Sequence, residues 1–411
     1  PHGGAYREGL VASVNGDGTQ GRILHSFSGG AGDVLRPSGF LALGDGNWIY
    51  GTSHRGDSYD FAPHLWRMRR DTGEIETLAS LPGREDGRPA LPYGLMRGRN
   101  GLLYGTTPYG GAADLGTLYR YDPAENRVTV LHEFGATDAD RWQPWPELLE
   151  GADGWIYGLG TGENQGSGSA DGWFRIAPDG SGYQVLGTID RPAGSTLQIT
   201  GGLAETSDHR FYWVRGLSSL SDTAAPVAGQ ILRAALPEGG AGSGRIEVIF
   251  ENAVDKEPYV WPVGRLIATP SGELVGLGRS PETAVYSLNP ATGKVRGVHR
   301  WGMRGTSPWF AIADRFAGAV LEPDGSLVVP VFGALVRIEL SDTAVPQPIP
   351  DVHVSGRYGG FTSYKVGFAP FISLVSAVRS TLGPTADLAT QQFVEPSVYA
   401  SVFEQYVQAQ P

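Results

Sequence analysis

The chain has 411 residues, 61 of them glycine, with a formal net charge of −11 and no cysteine. The acidic balance argues against nucleic-acid binding, which depends on lysine and arginine neutralising phosphates. The lack of cysteine excludes disulfides, thiolate metal sites and cysteine nucleophiles. A hydrophobic content of 40% is enough to form a core, and the many glycines suit short strands joined by tight turns.

The chain begins Pro1-His2-Gly3-Gly4 without an initiator methionine, which we interpret as the result of removing an export signal. An extracellular or periplasmic protein is therefore expected. The longest apolar stretch, Val366 to Val378, is interrupted by Pro370 and followed by Arg379, so no membrane-spanning segment is expected.

A motif of a turn followed by a strand returns at a nearly constant interval. It first reads Asp45-Gly46-Asn47-Trp48-Ile49-Tyr50-Gly51-Thr52, and its tyrosine recurs at Tyr104, Tyr157 and Tyr212, in steps of 54, 53 and 55 residues. Two further motifs follow in each unit: an apolar pair before arginine, such as Leu118-Tyr119-Arg120, and a short strand such as Leu131-His132-Glu133-Phe134. Because helical periodicity is absent before the C-terminus, each unit is predicted to form four strands.

Four-stranded up-and-down sheets repeated at this period are typical of β-propeller blades, because one sheet cannot cover both of its faces alone. We therefore predict an all-β protein, a β-propeller of four-stranded blades, with seven blades favoured and six as the alternative. A solenoid is the main competing architecture, but its repeats are usually shorter.

The two ends of the chain bear on the blade count. The segment from Leu10 to Phe27 supplies only a third and a fourth strand, and the missing pair is expected near Val352–Val354 and Phe361–Tyr364. Residues 1–368 are thus predicted to form a propeller closed by strands from both termini. Residues 369–411 are predicted to form a short helical C-terminal tail, because their apolar residues have helical spacing.

The repeated Asp-Gly-x-Leu/Ile-Tyr-Gly-Thr motif, Gly110-Gly111, Gly116-Thr117-Leu118-Tyr119-Arg120 and Val130-Leu131-His132-Glu133-Phe134 together resemble the bacterial GloVer (Gloeo/Verruco) tandem repeat. The resemblance extends from about Gly9 to Leu340 and decays after the unit that contains Tyr157. This family is found largely in exported or surface-anchored bacterial proteins that are predicted to be propellers. The resemblance therefore implies the fold and a location outside the cytoplasm, and it implies no activity.

The loops that join strand two to strand three, and strand four to the next sheet, are long and are expected on one face of the propeller. Long loops on a rigid scaffold commonly carry binding or catalysis. Aromatic rings stack on sugar faces and arginine holds carboxylates, while the alternative is that the aromatic side chains fill the space between blades. The ligand-binding candidates in these loops are Arg36, Arg88, Arg141, Trp142, Trp145, Tyr259, Trp261 and Trp309.

His54 and Arg55 lie in the predicted loop from Ser53 to Pro63, and His54 has no counterpart in the other units. His25 and His132 occupy equivalent positions and are interpreted as structural. A histidine beside an arginine could act as a general base. In a lyase, Arg55 and Arg88 would hold the carboxylate of a uronate and a tyrosine would act as the acid. The catalytic residues of this alternative are His54, Arg55, Tyr93 and Tyr109.

No metal and no cofactor are predicted, because no HExxH motif, calcium-binding loop or other metal-ligand spacing occurs. The acidic loop residues Glu85-Asp86, Asp138/Asp140 and Asp255/Glu257 are interpreted as solvated surface. The arginine that recurs on strand three is expected to pair with a carboxylate or backbone group of a neighbouring blade.

The leading functional hypothesis is an exported propeller that acts as a binding or assembly module through its long-loop face and its tail, with no chemistry of its own. The alternative is a carbohydrate-active enzyme, namely a polysaccharide lyase on a uronate-containing polysaccharide. A third hypothesis is a structural surface or filament subunit. The expected partners are a carbohydrate, and another protein or a second copy of the chain bound through the tail. No nucleic-acid partner is expected.

Overall fold

The computed structural model describes residues 5–6, 8–13, 22–30, 32–55, 63–82, 92, 94–137, 140, 142–162, 170–192, 197–217, 227–237, 244–253, 261–279, 283–301, 319–321, 326–331, 334–339, 353–354 and 364–365. Across these residues the regular structure is β-strand, and no α-helix is formed. The predicted helical tail, residues 369–411, lies outside them.

The strands alternate with short turns and with longer connections, in the order expected for a repeated four-stranded unit. They are β1 (Leu10–Ser13), β2 (Arg22–Ser26), β3 (Leu35–Leu43), β4 (Trp48–Arg55), β5 (His64–Arg69), β6 (Ile75–Ser80), β7 (Gly94–Arg97), β8 (Leu103–Thr107), β9 (Thr117–Asp122), β10 (Arg127–Glu133), β11 (Gln143–Pro144), β12 (Leu149–Glu150), β13 (Ile156–Thr161), β14 (Ala170–Ile176), β15 (Gln184–Asp190), β16 (Leu197–Ile199), β17 (Ala204–Glu205), β18 (Arg210–Leu217), β19 (Val227–Ala235), β20 (Ile246–Ala253), β21 (Trp261–Ala268), β22 (Leu274–Arg279), β23 (Thr283–Asn289), β24 (Lys294–Trp301), β25 (Val320–Leu321), β26 (Ser326–Val331), β27 (Ala334–Glu339), β28 (His353–Val354) and β29 (Tyr364–Lys365).

These strands form up-and-down sheets in which sequence neighbours are also hydrogen-bonded neighbours. Three sheets have the plain orders β3-β4-β5-β6, β7-β8-β9-β10 and β21-β22-β23-β24. In two more sheets the first strand is divided, so that β11 and β12 both pair with β13, and β16 and β17 both pair with β18. The predicted all-β fold with four strand positions per repeat is confirmed.

The chain divides into two compact units. Unit 1 comprises Pro1–Val11, Leu24–Trp213 and Leu232–Val248, and unit 2 comprises Ala12–Ile23, Val214–Ile231 and Ile249–Pro411.

In unit 1, the apolar core lies between successive sheets. Tyr50 and Leu65 of the β3–β6 sheet pack against Leu95 and Tyr119 of the β7–β10 sheet in one buried cluster. A second cluster joins the β7–β10 sheet to the β13–β15 strands and contains Phe174. Each buried side chain of this size contributes about 1.5–3 kcal/mol, so sheet-on-sheet packing stabilises the repeat where one sheet alone could not.

A glycine on strand two makes room for an aromatic ring on strand three. Gly158 pairs directly with Phe174, and a Cβ atom added at the glycine would lie 2.3 Å from the ring. The same pairing joins Gly51 to Trp66, Gly105 to Tyr119 and, in unit 2, Gly276 to Tyr286. The Tyr-Gly-Thr motif and the aromatic residue before the recurrent arginine are therefore two halves of one packing element.

A β-bulge recurs between strands three and four. The register shifts by one residue in β5–β6, β9–β10, β14–β15 and β23–β24. The residues skipped on strand four are Leu78, Leu131, Leu186 and Val298. A bulge bends and twists the strand locally, so its repetition keeps the outer strands of these sheets in a common shape.

In unit 1, the turn after strand one contacts strand one of the next sheet at equivalent positions. The backbone N–H of Arg99 donates to Glu150 at 2.7 Å, and that of Ala152 donates to Glu205 at 2.9 Å. At the preceding position Asp45 forms an ion pair with Arg97. Consecutive sheets of this unit are therefore stacked in a repeating geometry, as in propeller blades.

Unit 2 contains the β21–β24 sheet and the three-stranded sheet β25-β26-β27. Its interior includes the fully buried side chain of Arg215. Arg215 Nη1 lies 3.5 Å from Gln230 Oε1, and Gln230 Nε2 donates to Glu251 Oε2 at 2.7 Å.

The pairing of the terminal strands does not test the blade count, so seven blades, with six as the alternative, stays a prediction. In the described residues β1 pairs with β2, while β28 pairs with β29 through the register His353↔Lys365. The closing sheet built from both ends of the chain, and hence the boundary at residue 368, therefore stays a prediction.

Candidate functional site

We call the end of the sheets that carries the strand two-to-three loops and the exits from strand four the long-loop edge. Several residues predicted to lie in its loops are strand residues instead. Arg36 belongs to β3, His54 and Arg55 end β4, and Trp261 begins β21. The loop prediction was wrong for these four because the ladder continues further than the turn residues suggested: Leu35 still pairs with Arg55, and Trp261 with Arg279.

Five of the other candidates, Arg88, Tyr93, Arg141, Tyr259 and Trp309, lie outside the described residues. The convergence that a lyase needs, with His54, Arg55, Tyr93 and Tyr109 around one substrate position, therefore stays a prediction. Tyr109 itself is half-buried, and its carbonyl oxygen accepts a hydrogen bond from Thr107 Oγ1 at 2.8 Å.

Trp142 and Trp145 are packed into their sheet. Trp142 is 4% exposed, and its ring covers the facing pair Gly160 and Gly172, where added Cβ atoms would lie 2.0 and 2.3 Å from the ring. Trp145 is 8% exposed, and its backbone N–H donates to Leu159 at 2.7 Å. Both rings thus take the packing role considered as the alternative, and ligand binding by them stays a prediction.

The exit from strand four is held by a histidine–aspartate pair at two equivalent positions. His25 Nε2 lies 3.1 Å from Asp33 Oδ1, and His132 Nε2 lies 2.8 Å from Asp140 Oδ2. Each aspartate also accepts hydrogen bonds from the backbone N–H and hydroxyl of one loop residue, Ser28 and Thr137 respectively. We name these arrangements the histidine–aspartate clamps, and they confirm the structural role predicted for both histidines.

The solvated-surface interpretation of Asp140 was wrong, because the residue is fully buried. The sequence held a signal for this: each histidine is followed eight residues later by aspartate. A carboxylate buried at such a place needs several hydrogen-bond donors, and the clamp supplies them.

One residue of each clamp, Asp33 and His132, has a shifted pKa. Burial alone would raise the pKa of Asp33, but hydrogen bonds from His25, Ser28 and Val34 lower it to about 2. Burial lowers the pKa of His132 from its ordinary value, against the opposing effect of Asp140. The His132 ring also stacks on Tyr183 at 3.6 Å between centroids, which fixes its orientation.

A different clamp holds the exit from β15. Arg191 follows the strand directly and is 7% exposed; its Nη2 donates to Asp171 Oδ1 at 2.8 Å and to Thr161 Oγ1. Because Asp171 and Thr161 lie on β14 and β13 of the same sheet, the start of this long connection is tied down. The sequence offered no repeated signal for this pair.

The recurrent strand-three arginines mostly pair inside their own sheet. Arg67 contacts Glu76 at 2.7 Å and Arg233 contacts Glu247 at 2.6 Å. Arg175 donates to Gln184 at 3.0 Å. The expectation of a neighbouring-blade partner missed these three contacts, because strand four of the same sheet presents an acceptor to each arginine. Arg120, which reaches Pro178 O at 3.4 Å, follows the expectation.

A cleft opens at the other end of the first two complete sheets, which we call the short-turn edge because it carries the β3–β4, β5–β6 and β7–β8 turns. Its volume is about 640 Å³, and its lining includes Trp48, Arg69, Arg97, Asp45 and Leu103. Arg67 and Arg69 lie 4.2 and 5.4 Å from the centroid of the Trp48 ring. The cleft thus combines an aromatic ring with cationic side chains.

Within the described residues no group of histidine, aspartate and glutamate side chains is arranged to hold a metal ion. No helix long and apolar enough to cross a membrane occurs among them.

Comparison with known proteins supports the fold. A candidate 6-phosphogluconolactonase from Bacteroides uniformis is 18% identical, with a TM-score of 0.50 over 82% of this chain and 90% of that one. A candidate 6-phosphogluconolactonase from Bacteroides fragilis (14% identical, TM-score 0.49, 82% and 89% covered) and an oligogalacturonate lyase in complex with manganese (13%, 0.45, 88% and 98%) are also similar. At 18% identity the first similarity shows the fold alone. No curated protein sequence matches the chain.

The repeat itself is matched directly. The Gloeobacter/Verrucomicrobia repeat matches residues 62–222, the region in which the glycine–aromatic pairs, the bulges and the turn contacts recur. Residues 62–222 therefore belong to the Gloeobacter/Verrucomicrobia repeat family, within an all-β chain of the β-propeller fold class.

Proposed function

We propose that this chain is an exported propeller module that binds a ligand or partner through its long-loop edge and performs no chemistry of its own. The observation that supports this most is the recurrence of the histidine–aspartate clamps where strand four gives way to a long loop. In each clamp the histidine on strand four is hydrogen-bonded to an aspartate of the following loop, so the first residues of that loop are held against the sheet.

Fixed loop origins favour binding for an energetic reason. A loop that is already ordered at its base loses less conformational entropy when it closes on a ligand, and the saving appears as affinity. Arg191, Asp171 and Thr161 achieve the same result at a third sheet with different residues. A rigid scaffold that presents long loops is the arrangement on which binding sites are usually built.

The proposed ligand of this edge is a carbohydrate that bears carboxylates. Apart from the buried Trp142 and Trp145, the candidates at this edge combine arginine with tyrosine and tryptophan. This combination suits a uronate ring because the guanidinium holds the carboxylate while the ring face stacks. The tail, residues 369–411, is proposed as a second contact that binds another protein or a second copy. We propose an extracellular or periplasmic location, where such polysaccharides are met.

The test is to titrate the full chain with a uronate polysaccharide while the ultraviolet absorbance of unsaturated uronate products is followed. Binding heat without product release is the expected result. Product formation that disappears in a His54→Ala variant would support the lyase alternative in place of the module. Absence of binding to acidic and neutral polysaccharides alike would remove the carbohydrate part of the proposal and leave the tail as the candidate contact.

A further inference from the structure

The cleft at the short-turn edge is a separate place from the loops invoked above. The turns that line it contain Gly46 and Gly101, and the β4–β5 and β6–β7 connections leave the opposite end of the same strands. All of its lining belongs to unit 1. Its volume of about 640 Å³ lies within the range of small-molecule sites, roughly 300–1,000 Å³.

The walls of the cleft differ in chemistry in a way that suits an amphipathic ring. The half-buried Trp48, whose ring also lies 4.2 Å from the Arg67 guanidinium, supplies the apolar surface above the buried Leu103. Arg69 and Arg97 supply cationic groups with five donors each. A Cβ atom at Gly46 would meet nothing within 4 Å, so this turn leaves open space beside the cleft. A sugar ring needs such a surface, with one apolar face to stack on and polar groups at its edge.

The two arginines are held in place while remaining accessible. Arg69 donates to both carboxylate oxygens of Asp71, at 3.1 and 2.9 Å, and Arg97 pairs with Asp45. The arginine side chains are 38% and 33% exposed, and their aspartate partners are 46% and 89% exposed. Ion pairs this open are weak, so a carboxylate on a ligand can add to them or replace one partner.

The repeat provides an internal comparison, because a purely structural feature should recur with it. The residue at the Trp48 position is Leu102 in the next sheet and Trp155 in the one after. The Arg69 position holds Asp122 and then Ala177, while the Arg97 position holds Glu150 and then Glu205. The tryptophan stacked on the strand-three arginine thus recurs at Trp155 and Arg175. The two cleft arginines occur at the first of these three places, and each of the next two carries at least one acidic residue instead.

We propose that the cleft lined by Trp48, Arg69 and Arg97 binds a sugar ring that bears a carboxylate, with the indole against the ring and the guanidinium groups on the carboxylate. This is a second site, at the edge opposite the clamped loops. It requires no activity of the protein, and it holds whichever residues act at the long-loop edge.

The test is calorimetric titration of the full chain with a galacturonate trisaccharide and with the uncharged galactose trisaccharide of the same linkage. The repeat supplies tolerated substitutions: Trp48→Leu copies Leu102, and Arg69→Ala copies Ala177. Trp155→Leu is the matched control, because Trp155 stacks on Arg175 at 4.5 Å in another sheet and does not line the cleft.

The charged trisaccharide is expected to bind more tightly than the neutral one, and more weakly as salt is added. Trp48→Leu and Arg69→Ala should each weaken its binding on the order of tenfold, and Trp155→Leu should leave it unchanged. Because Arg69 is exposed, Arg69→Ala should fold, and its affinity for the charged trisaccharide tests the proposal even if Trp48→Leu fails to fold. No binding of the charged sugar, equal binding of the neutral one, or unchanged affinity in Arg69→Ala would each overturn the proposal.

Discussion

Replacing Gly158 by alanine should destabilise the protein by about 2 kcal/mol. The added Cβ atom would lie 2.3 Å from Cζ of Phe174 and 2.9 Å from both neighbouring ring atoms, well inside contact distance. Phe174 is fully buried among the sheets, so the ring cannot move outward without displacing other side chains. Forcing extra volume into a packed core typically costs about 1–3 kcal/mol.

The same geometry predicts that Phe174→Leu relieves part of this cost. Alone, the substitution should cost about 1–2 kcal/mol through lost packing, but in the double variant the leucine leaves space for the new methyl group. The chain already uses this exchange in its next sheet, where Trp213 takes the strand-two position and Leu232 the strand-three position. The two substitutions should therefore be less than additive by about 1 kcal/mol.

The assay is urea unfolding followed by far-ultraviolet circular dichroism for the four members of this cycle. Gly30→Ala is the control, because Gly30 is exposed and its added Cβ would come no closer than 3.4 Å to Ser28 Oγ; its effect should stay within about 0.5 kcal/mol. A neutral Gly158→Ala, or strict additivity with Phe174→Leu, would refute the reasoning.

Three further predictions concern the clamps and the tail. Asp140→Asn should lower the free energy of unfolding in urea by about 1–3 kcal/mol, because the fully buried carboxylate accepts hydrogen bonds that an amide cannot all accept. The control Asp153→Asn changes an exposed residue and copies Asn100, so it should cost much less. Equal costs of the two variants would contradict the clamp. The depressed pKa of Asp33, about 2 against an ordinary 3.8, means that its contribution of about 2 kcal/mol is present above pH 4 and lost as the pH falls towards 2. An Asp33→Asn variant should therefore lose less stability than the unmodified chain between about pH 5 and pH 2, and parallel curves would contradict this. A version ending at Gly367 should be monomeric by light scattering if the full chain assembles through its tail, and an assembled truncation would exclude the tail as the contact.

Much of the fold was predictable because the same turn and strand motifs recur in every unit, so each copy supports the assignment of the others. The spacing of Tyr50, Tyr104 and Tyr157 gave the repeat period, and the motifs inside each unit predicted four strands, which the sheets have. Strand ends were less predictable: Arg36 and Arg55 lie in strands because cross-strand pairing continues through residues whose local propensity suggested a loop.

The candidate sites were harder to predict because they depend on contacts distant in sequence. His25 and His132 were correctly interpreted as structural from their repetition, but their partners Asp33 and Asp140 were missed since only the fold brings a loop carboxylate back to the strand. The short-turn cleft was missed for the same reason: Trp48 and Arg97 are 49 residues apart and meet only when two sheets stack.

The central claim, that the chain binds and does no chemistry, is tested most directly by incubating the full chain with a uronate polysaccharide and measuring both bound protein and released unsaturated product. The account predicts that protein co-sediments with the polysaccharide and that product stays at the level of a chain-free control. Sustained product release that is abolished by His54→Ala would contradict it.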